Sequence, residues 1–218
     1  MKNQINELIE IFKEDINKKL KLNKNFKVEY SLKKNSITLS IKECKITYSL
    51  TYLKYRTPDV WTTGTLNRTK DGKYVFYLDY DMMKEEYIKG ELLHLQEIYD
   101  LGDIHVFQSS EKSFHAISFA KLTAKEYVEI LENSSCDYSF KVIPRYTSYR
   151  NWVLRHFNKG KVKKPKYLYT LKRNTKRQHS FAHYKFIHLL YPKINQKINS
   201  DGINELTVID YATGSNVD

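Results

Sequence analysis

The sequence predicts an α/β domain of the α+β kind, with a central mixed or antiparallel sheet flanked by helices. Two patterns predict it. Short segments rich in β-branched and aromatic residues recur along the chain, and segments with apolar residues at helical spacing separate several of them. The chain has 218 residues, which is enough for one sizeable core. We therefore expect a single domain over residues 1–200. Residues 201–218 are expected to form a weakly patterned tail, which is compatible with a linker to a further domain.

The N-terminal portion, residues 1–71, is expected to pack beside the rest of the sheet. Apolar residues at helical spacing predict a helix over Asn3–Leu22. Lys27–Leu32 and Ser36–Ile41 alternate in polarity across a short polar connection, which predicts a β-hairpin. Lys45–Leu53 continues the strand character, and Thr57–Asp71 predicts a loop.

Residues 72–160 form the predicted core, in which strands and helices follow one another. The predicted strands share β-favouring residues and cover Tyr74–Asp81, Ile104–Gln108, Ser113–Phe119 and Arg150–Phe157. Apolar spacing predicts a helix over Met83–Tyr99. Thr123 and Glu126 form a capping-box pattern that opens a second helix, through Leu131. Asp137 is placed at the start of a strand, and a last helix is predicted over Arg177–Leu190.

Composition excludes several classes of protein. No run of about 18 apolar residues is present, so no membrane span or membrane partner is expected. The amphipathic N-terminus carries acids and does not resemble a signal peptide. Cys44 and Cys136 are too few for a disulfide framework or a cysteine zinc cluster. We expect a reduced, cytoplasmic setting, or the interior of a host cell, and no zinc.

Positive charge is concentrated in one stretch of the chain. The 63 residues between Asp137 and Asp201 contain no acid and 16 Lys and Arg. Removing those 16 from the 37 basic residues of the chain leaves 21, against 25 acids. Such a block fits a polyanion, although a solvated surface or an anionic lipid patch is also compatible. The predicted nucleic-acid contacts, over residues 161–200, are Lys161, Lys163, Lys164, Lys166, Lys172, Arg173, Lys176 and Arg177.

Two carboxylates end the most apolar predicted strand. Asp79 and Asp81 are two residues apart, so they point to the same face at about 7 Å separation. Carboxylates at this spacing can share a divalent cation, which removes their mutual repulsion. The alternative is an ordinary strand end with two solvated acids.

Further polar residues follow at strand spacing. Ser113 and His115 share a strand face, where a hydroxyl and an imidazole suit phosphate oxygens, although both can also be plain structural polar residues. Asp137 is the last acid before the basic stretch. Arg155 can grip phosphate with two donors, and Lys159 acts as a compact point charge.

In this order, the elements resemble the catalytic core of the archaeo-eukaryotic primase superfamily, in its plasmid and viral replication-protein branch. The resemblance covers about residues 74–160. The residues that carry it are Tyr77–Asp81 for the acidic strand, Ser113-Phe114-His115 for the small-x-His motif, Cys136-Asp137 for the third acid, and Leu154-Arg155 with Lys159 downstream.

The resemblance implies a template-dependent nucleotidyltransferase, a DNA primase or DNA polymerase that acts in replication of a plasmid, virus or other mobile element. It implies that Asp79, Asp81 and Asp137 are catalytic and hold two Mg²⁺ or Mn²⁺ ions. Ser113 and His115 would contact the nucleoside triphosphate, and Arg155 and Lys159 would offset developing charge. Implied partners are single-stranded or primed template DNA, nucleotides and a replicative helicase. The alternatives are a non-catalytic DNA-binding replication initiator and a metal-dependent nuclease.

Overall fold

The computed structural model describes residues 28–33, 36–41, 46–52, 61–146, 152–159, 161–199 and 205–212, with side chains for 64–142, 152–159 and 161–199. The helix predicted over Asn3–Leu22 lies outside the described residues. In the described part, helices and mostly antiparallel sheets combine in an α+β fold, which confirms the predicted fold class. No helix within these ranges is long and apolar enough to cross a lipid bilayer.

The described strands and helices are numbered in chain order. The strands are β1 Val28–Lys33, β2 Ser36–Ile41, β3 Ile46–Tyr52, β4 Trp61–Leu66, β5 Tyr74–Tyr80, β6 Ile104–Ser110, β7 Ser113–Leu122, β8 Val153–Arg155, β9 Lys166–Leu171 and β10 Glu205–Ala212. The helices are α1 Glu85–Ile98, α2 Ala124–Asn133, α3 Tyr138–Tyr146 and α4 Phe181–Leu190.

A six-stranded sheet has the order β1-β2-β3-β10-β4-β8. The predicted hairpin is confirmed, because β1 and β2 pair antiparallel. Strand β4 corrects the loop expected over Thr57–Asp71. Gly64, which suggested a loop, lies where β8 approaches closely, and a Cβ there would collide with the carbonyl of Leu154. The glycine therefore serves strand pairing.

Strand β10 differs from the tail expected at 201–218. It lies inside the six-stranded sheet, parallel to β3 and antiparallel to β4. Its β-branched residues favour a strand, but both pairing partners lie about 150 residues earlier in the chain. Apart from the strand propensity of β10 itself, pairing with such distant segments leaves no pattern in the local sequence.

A four-stranded antiparallel sheet, in the order β5-β7-β6-β9, has a hydrophobic core on each face. Alternation along β5 sends Val75 and Tyr77 to the face that packs against α4, and Phe76 and Leu78 to the face that packs against α1 and α2. The predicted capping box is confirmed: Thr123 and Glu126 satisfy each other's backbone amides at the start of α2. This sheet carries the predicted site residues at one end.

Helix α3 corrects the strand expected to begin at Asp137. The Asp137 Oδ1 atom accepts the backbone amide of Phe140 at 2.9 Å, which is the geometry of a helix N-cap. The alternation of Tyr138 and Phe140 imitated a strand, and capping by the acid overrides it. The strand expected over Arg150–Phe157 is shorter, since β8 covers only Val153–Arg155.

Candidate active site

Asp79 and His115 face each other across the β5–β7 pair. They are direct partners in the antiparallel register, and Asp79 Oδ1 lies 3.5 Å from His115 Nε2. Asp79 follows Val75 and Tyr77 on the face that packs against α4. The apolar face therefore ends in a carboxyl and an imidazole, and 29% of the Asp79 side chain is exposed. The two residues, each predicted on a separate strand, therefore lie side by side at one end of the sheet.

Asp137 lies beside Asp79 on the open edge of β5. Its backbone amide donates to the carbonyl of Asp79 at 2.7 Å. Asp81 directly follows β5 and is exposed. The three predicted acids thus come together from two separate stretches of the chain, and the N-terminus of α3 lies among them.

The electrostatics of Asp79 show which charges surround it. Burial raises the pKa of Asp79 to about 7, and the carboxylates of Asp81 and Asp137 add to the rise. The cations of Arg155 and Lys159 act in the opposite direction. The other four predicted charged residues therefore lie within electrostatic reach of Asp79, and the set as a whole holds three acids and two cations.

His115 does not add a positive charge to balance the acids around Asp79. Its side chain is buried, and burial together with Arg155 and His156 holds the pKa of the imidazole well below 6.5. The ring is therefore neutral at neutral pH, and its contact with Asp79 is not an ion pair. A neutral imidazole can donate or accept one hydrogen bond at this position.

Arg155 is fixed by backbone carbonyl groups. Its Nη1 atom donates to the carbonyls of Phe157 and Lys163 at 3.1 and 2.9 Å, and its Nη2 atom donates to the carbonyl of Ser109. The guanidinium therefore joins the β6–β7 hairpin to the chain after β8. It provides a fixed positive charge near Asp79, rather than the free two-pronged phosphate grip suggested by its residue type.

Ser113 and Lys159 are placed at the same end of the sheet. Ser113 is the first residue of β7, buried, and two positions from His115 on one strand face. Lys159 forms a two-way backbone bridge with Val162, with both N–O distances at 2.9 Å. Within the described part of the chain, no hydrogen bond or salt bridge engages its ammonium.

The basic stretch divides between the two ends of β9. At the site end, Lys166 pairs with Gln108, close to the hairpin that bears Ser113. The exposed side chains of Lys161, Lys163 and Lys164 lie on the segment that leads to it. This half of the predicted nucleic-acid surface lies at the same end of the sheet as the acids, although β9 and β5 are its two opposite edge strands.

The other half lies at the far end of the sheet. Leu171 pairs with Ile104 there, about 17 Å from the start of β9 at about 3.3 Å per residue. Three of its four cations meet acids: Lys172 with Asp103 at 2.8 Å, Arg173 with Glu97 at 4.0 Å and Arg177 with Glu126 at 2.7 Å; Lys176 is exposed. The structure therefore does not bring these four residues to the acid cluster.

The acids suit a hard divalent cation by donor type. Carboxylate oxygens are the ligands preferred by Mg²⁺ and Mn²⁺. Among the described residues, no group of three His, Cys, Asp or Glu side chains already encloses a metal position. Oδ1 of Asp137 serves as helix cap, which leaves Oδ2 for a ligand. The residues therefore fit such an ion by the chemistry of their donors, with water as the natural remaining ligand.

Two exposed apolar side chains beside the acids escaped the sequence prediction. Met82 directly follows Asp81 and is 76% exposed, with a left-handed backbone at φ +56°. Tyr138 directly follows Asp137 and is 75% exposed. The sequence signal that could have identified them is a large apolar residue directly after an acid, at the end of an element. These side chains offer apolar surface at the rim of the charged site.

No family model, curated protein or solved structure matches this chain.

Proposed function

We propose that this protein is a template-dependent nucleotidyltransferase of the primase-polymerase type, which synthesises or extends primers from nucleoside triphosphates. One observation carries the proposal. Residues predicted from motifs far apart in the sequence, Asp79, His115, Asp137 and Lys159, meet at one end of one sheet. Because these residues are far apart in the sequence, their meeting at one place in the fold is not expected by chance.

The three acids are the proposed ligands of Mg²⁺ or Mn²⁺. Asp79 is held between Asp81 and Asp137 with a pKa of about 7, so its ionised form requires additional positive charge nearby. When bound, the ions lower the pKa of a primer 3′-hydroxyl and neutralise charge on the triphosphate. Asp79 would hold such ions at a fixed point of the sheet, because its backbone lies between His115 on one side and Asp137 on the other.

The groups opposite the acids are donors suited to phosphate. The ammonium of Lys159 would bind a phosphate oxygen, since within the described part of the chain it has no hydrogen bond or salt bridge. The neutral imidazole of His115 and the hydroxyl of Ser113 would donate further hydrogen bonds. Arg155 would contribute fixed positive charge that stabilises the transition state without direct contact.

The surroundings of the site offer surfaces for bases and for the template backbone. Tyr138 exposes its ring directly beside Asp137, and stacking of a base on such a ring is worth about 1–3 kcal/mol. Lys161, Lys163 and Lys164 are exposed near Lys159 and would neutralise phosphates of the template strand.

The proposal is tested on an end-labelled primer annealed to a longer template, with all four nucleotides and either Mg²⁺ or Mn²⁺. We expect the wild-type protein to lengthen the primer and Asp79→Asn to lose extension while retaining DNA affinity. Glu86→Gln is the matched control, because it removes one exposed carboxylate of α1 and should extend normally. Shortened primers would point to a nuclease instead, and unchanged primers with intact binding would point to an initiator. Either result contradicts the proposal.

A further inference from the structure

A polar cavity lies at the far end of the four-stranded sheet, remote from Asp79. Its volume is about 470 Å³, within the range of small-ligand sites. The walls come from the start of β6, the segment between β9 and α4, and the chain after α4. The residues that matter for its chemistry are Asp103, Arg173, Asn174, His179 and Lys197.

Gly102 allows the cavity wall to form. Its φ of +71° is strained for other residues, and a Cβ there would lie 2.5 Å from Thr175 Cγ2. The same Cβ would lie 3.5 Å from His179 Nε2. The segment with Thr175 and His179 therefore rests directly on the glycine backbone, which fixes the position of the imidazole.

His179 is a buried donor that faces this cavity. The residue is 4% exposed, and its Nδ1 atom accepts the backbone amide of Asn199 at 3.2 Å. In the neutral ring the proton is then on Nε2. No group in the described ranges accepts a hydrogen bond from Nε2. Burial lowers the pKa of His179, so the ring remains a neutral N–H donor at neutral pH.

The residues that line the cavity carry more positive than negative charge. Lys172, Arg173 and Lys197 line it or its shallow extension, against the carboxylate of Asp103; Asp100 also acts on the His179 imidazole from nearby. Both oxygens of that carboxylate are already engaged: Oδ2 binds the ammonium of Lys172 at 2.8 Å, and Oδ1 accepts the backbone amide of Arg173 at 3.0 Å.

Two cationic side chains remain available to a ligand. The guanidinium of Arg173 is 42% exposed and reaches Glu97 only at 4.0 Å. Lys197 is exposed and has no salt bridge within the described residues. Together with the imidazole of His179, they form a set of hydrogen-bond donors around one cavity, which is the composition of an oxyanion site.

We propose that this cavity binds a phosphate group, carried either by a nucleic-acid backbone or by a free nucleotide. Arg173 and Lys197 supply the charge, and His179 supplies a directed hydrogen bond from the cavity wall. The site is separate from the acid cluster and does not depend on the proposed catalysis. If a polynucleotide is the source, its strand would be anchored at the end of the sheet opposite the acids, about 17 Å away measured along β9.

The test measures fluorescence anisotropy of a labelled single-stranded DNA and of a labelled ATP, each in EDTA, against the full chain. The double variant Arg173→Gln/Lys197→Gln is compared with Lys89→Gln/Lys125→Gln, which removes the same charge from exposed positions of α1 and α2. For DNA we expect the salt dependence to fall by about 0.7 in slope, the value for one phosphate contact on a single strand, with weaker binding than in the charge control.

The two labelled ligands distinguish the sources of phosphate. Loss confined to DNA identifies a backbone site, and loss confined to ATP identifies a free-nucleotide site; inorganic phosphate should compete in either case. His179→Phe, checked for an unchanged melting temperature, should weaken the same ligand. If the double variant binds both ligands as the charge control does, the inference is overturned. That result would leave primer extension untouched, so the two proposals fail separately.

Discussion

Replacement of Asp79 by asparagine should stabilise the metal-free protein at alkaline pH. The folded state raises the pKa of this carboxyl from 3.8 to about 7. A raised acid pKa contributes stability that is fully present below pH 3.8 and is lost as the pH rises through 7. At pH 8 the wild-type chain therefore carries an ionised, partly buried carboxylate beside Asp81 and Asp137, whereas the amide carries no charge.

The magnitude follows from the pKa difference. At about 1.4 kcal/mol per pH unit, the interval from 3.8 to about 7 sets a ceiling of about 4 kcal/mol. Because 29% of the side chain is exposed, solvent and salt screen part of this cost. We expect Asp79→Asn to raise the free energy of unfolding by about 2 kcal/mol at pH 8, and to change it little at pH 4.

Urea unfolding in EDTA, at pH 4 and pH 8, measures this difference. Asp71→Asn is a control of opposite sign, because Asp71 binds the ammonium of Lys121 at 2.8 Å and its pKa is lowered. That variant should lose stability at pH 8. Added Mn²⁺ at about 100 times its Kd should stabilise the wild type by about 2.7 kcal/mol and Asp79→Asn by much less. An Asp79→Asn protein no more stable than wild type at pH 8 in EDTA would refute the electrostatic reasoning.

Two further predictions concern the rest of the fold. Gly102→Ala should lower the free energy of unfolding in urea by about 2 kcal/mol or more, because the new Cβ collides with Thr175 and the positive φ is strained. Gly72→Ala, with φ +76° but open space around it, should cost only about 1 kcal/mol. Equal costs would contradict the steric argument. Burial lowers the pKa of His156 to about 3, so the neutral ring contributes stability above pH 6.5 that is lost as the pH falls toward 3. His156→Gln should therefore reduce the loss of unfolding free energy over this pH range by about 1.4 kcal/mol per pH unit, whereas His94→Gln, at an exposed position, should not. Identical slopes for the two variants would exclude this contribution of His156.

Local patterns were enough to predict the part of the site that lies on strands. Asp79 and His115 each belong to a short run with period-two alternation, and the face of a strand residue follows from position alone. The capping box at Thr123 is likewise contained in four residues. For these elements, the information that decides the structure lies within a few residues.

Competing local preferences explain the error at Asp137. An acid before alternating apolar residues can start a strand or cap a helix, and only the amide of Phe140 decides between them. The error concerned the type of element that begins at Asp137. It did not affect the predicted nearness of Asp137 to Asp79, because the backbone amide of Asp137 donates to the carbonyl of Asp79.

Remote partners explain what the sequence did not reveal about charge. The absence of acids between residues 137 and 201 suggested one continuous basic surface. Lys172, Arg173 and Arg177 instead meet acids from the stretch 97–126, which the fold brings to the far end of the sheet. Charge along a chain therefore overstates charge on a surface wherever strand pairing returns acids from earlier in the sequence.

Incorporation of a single labelled nucleotide opposite a defined template base tests the central claim most directly. With Mg²⁺ or Mn²⁺, we predict that the wild-type protein adds the complementary nucleotide in preference to the other three. We predict that Asp79→Asn, folded and still able to bind DNA, adds none. No incorporation by the wild type with either ion and any template, or incorporation that persists in Asp79→Asn, would contradict the assignment of this acid cluster to nucleotidyl transfer.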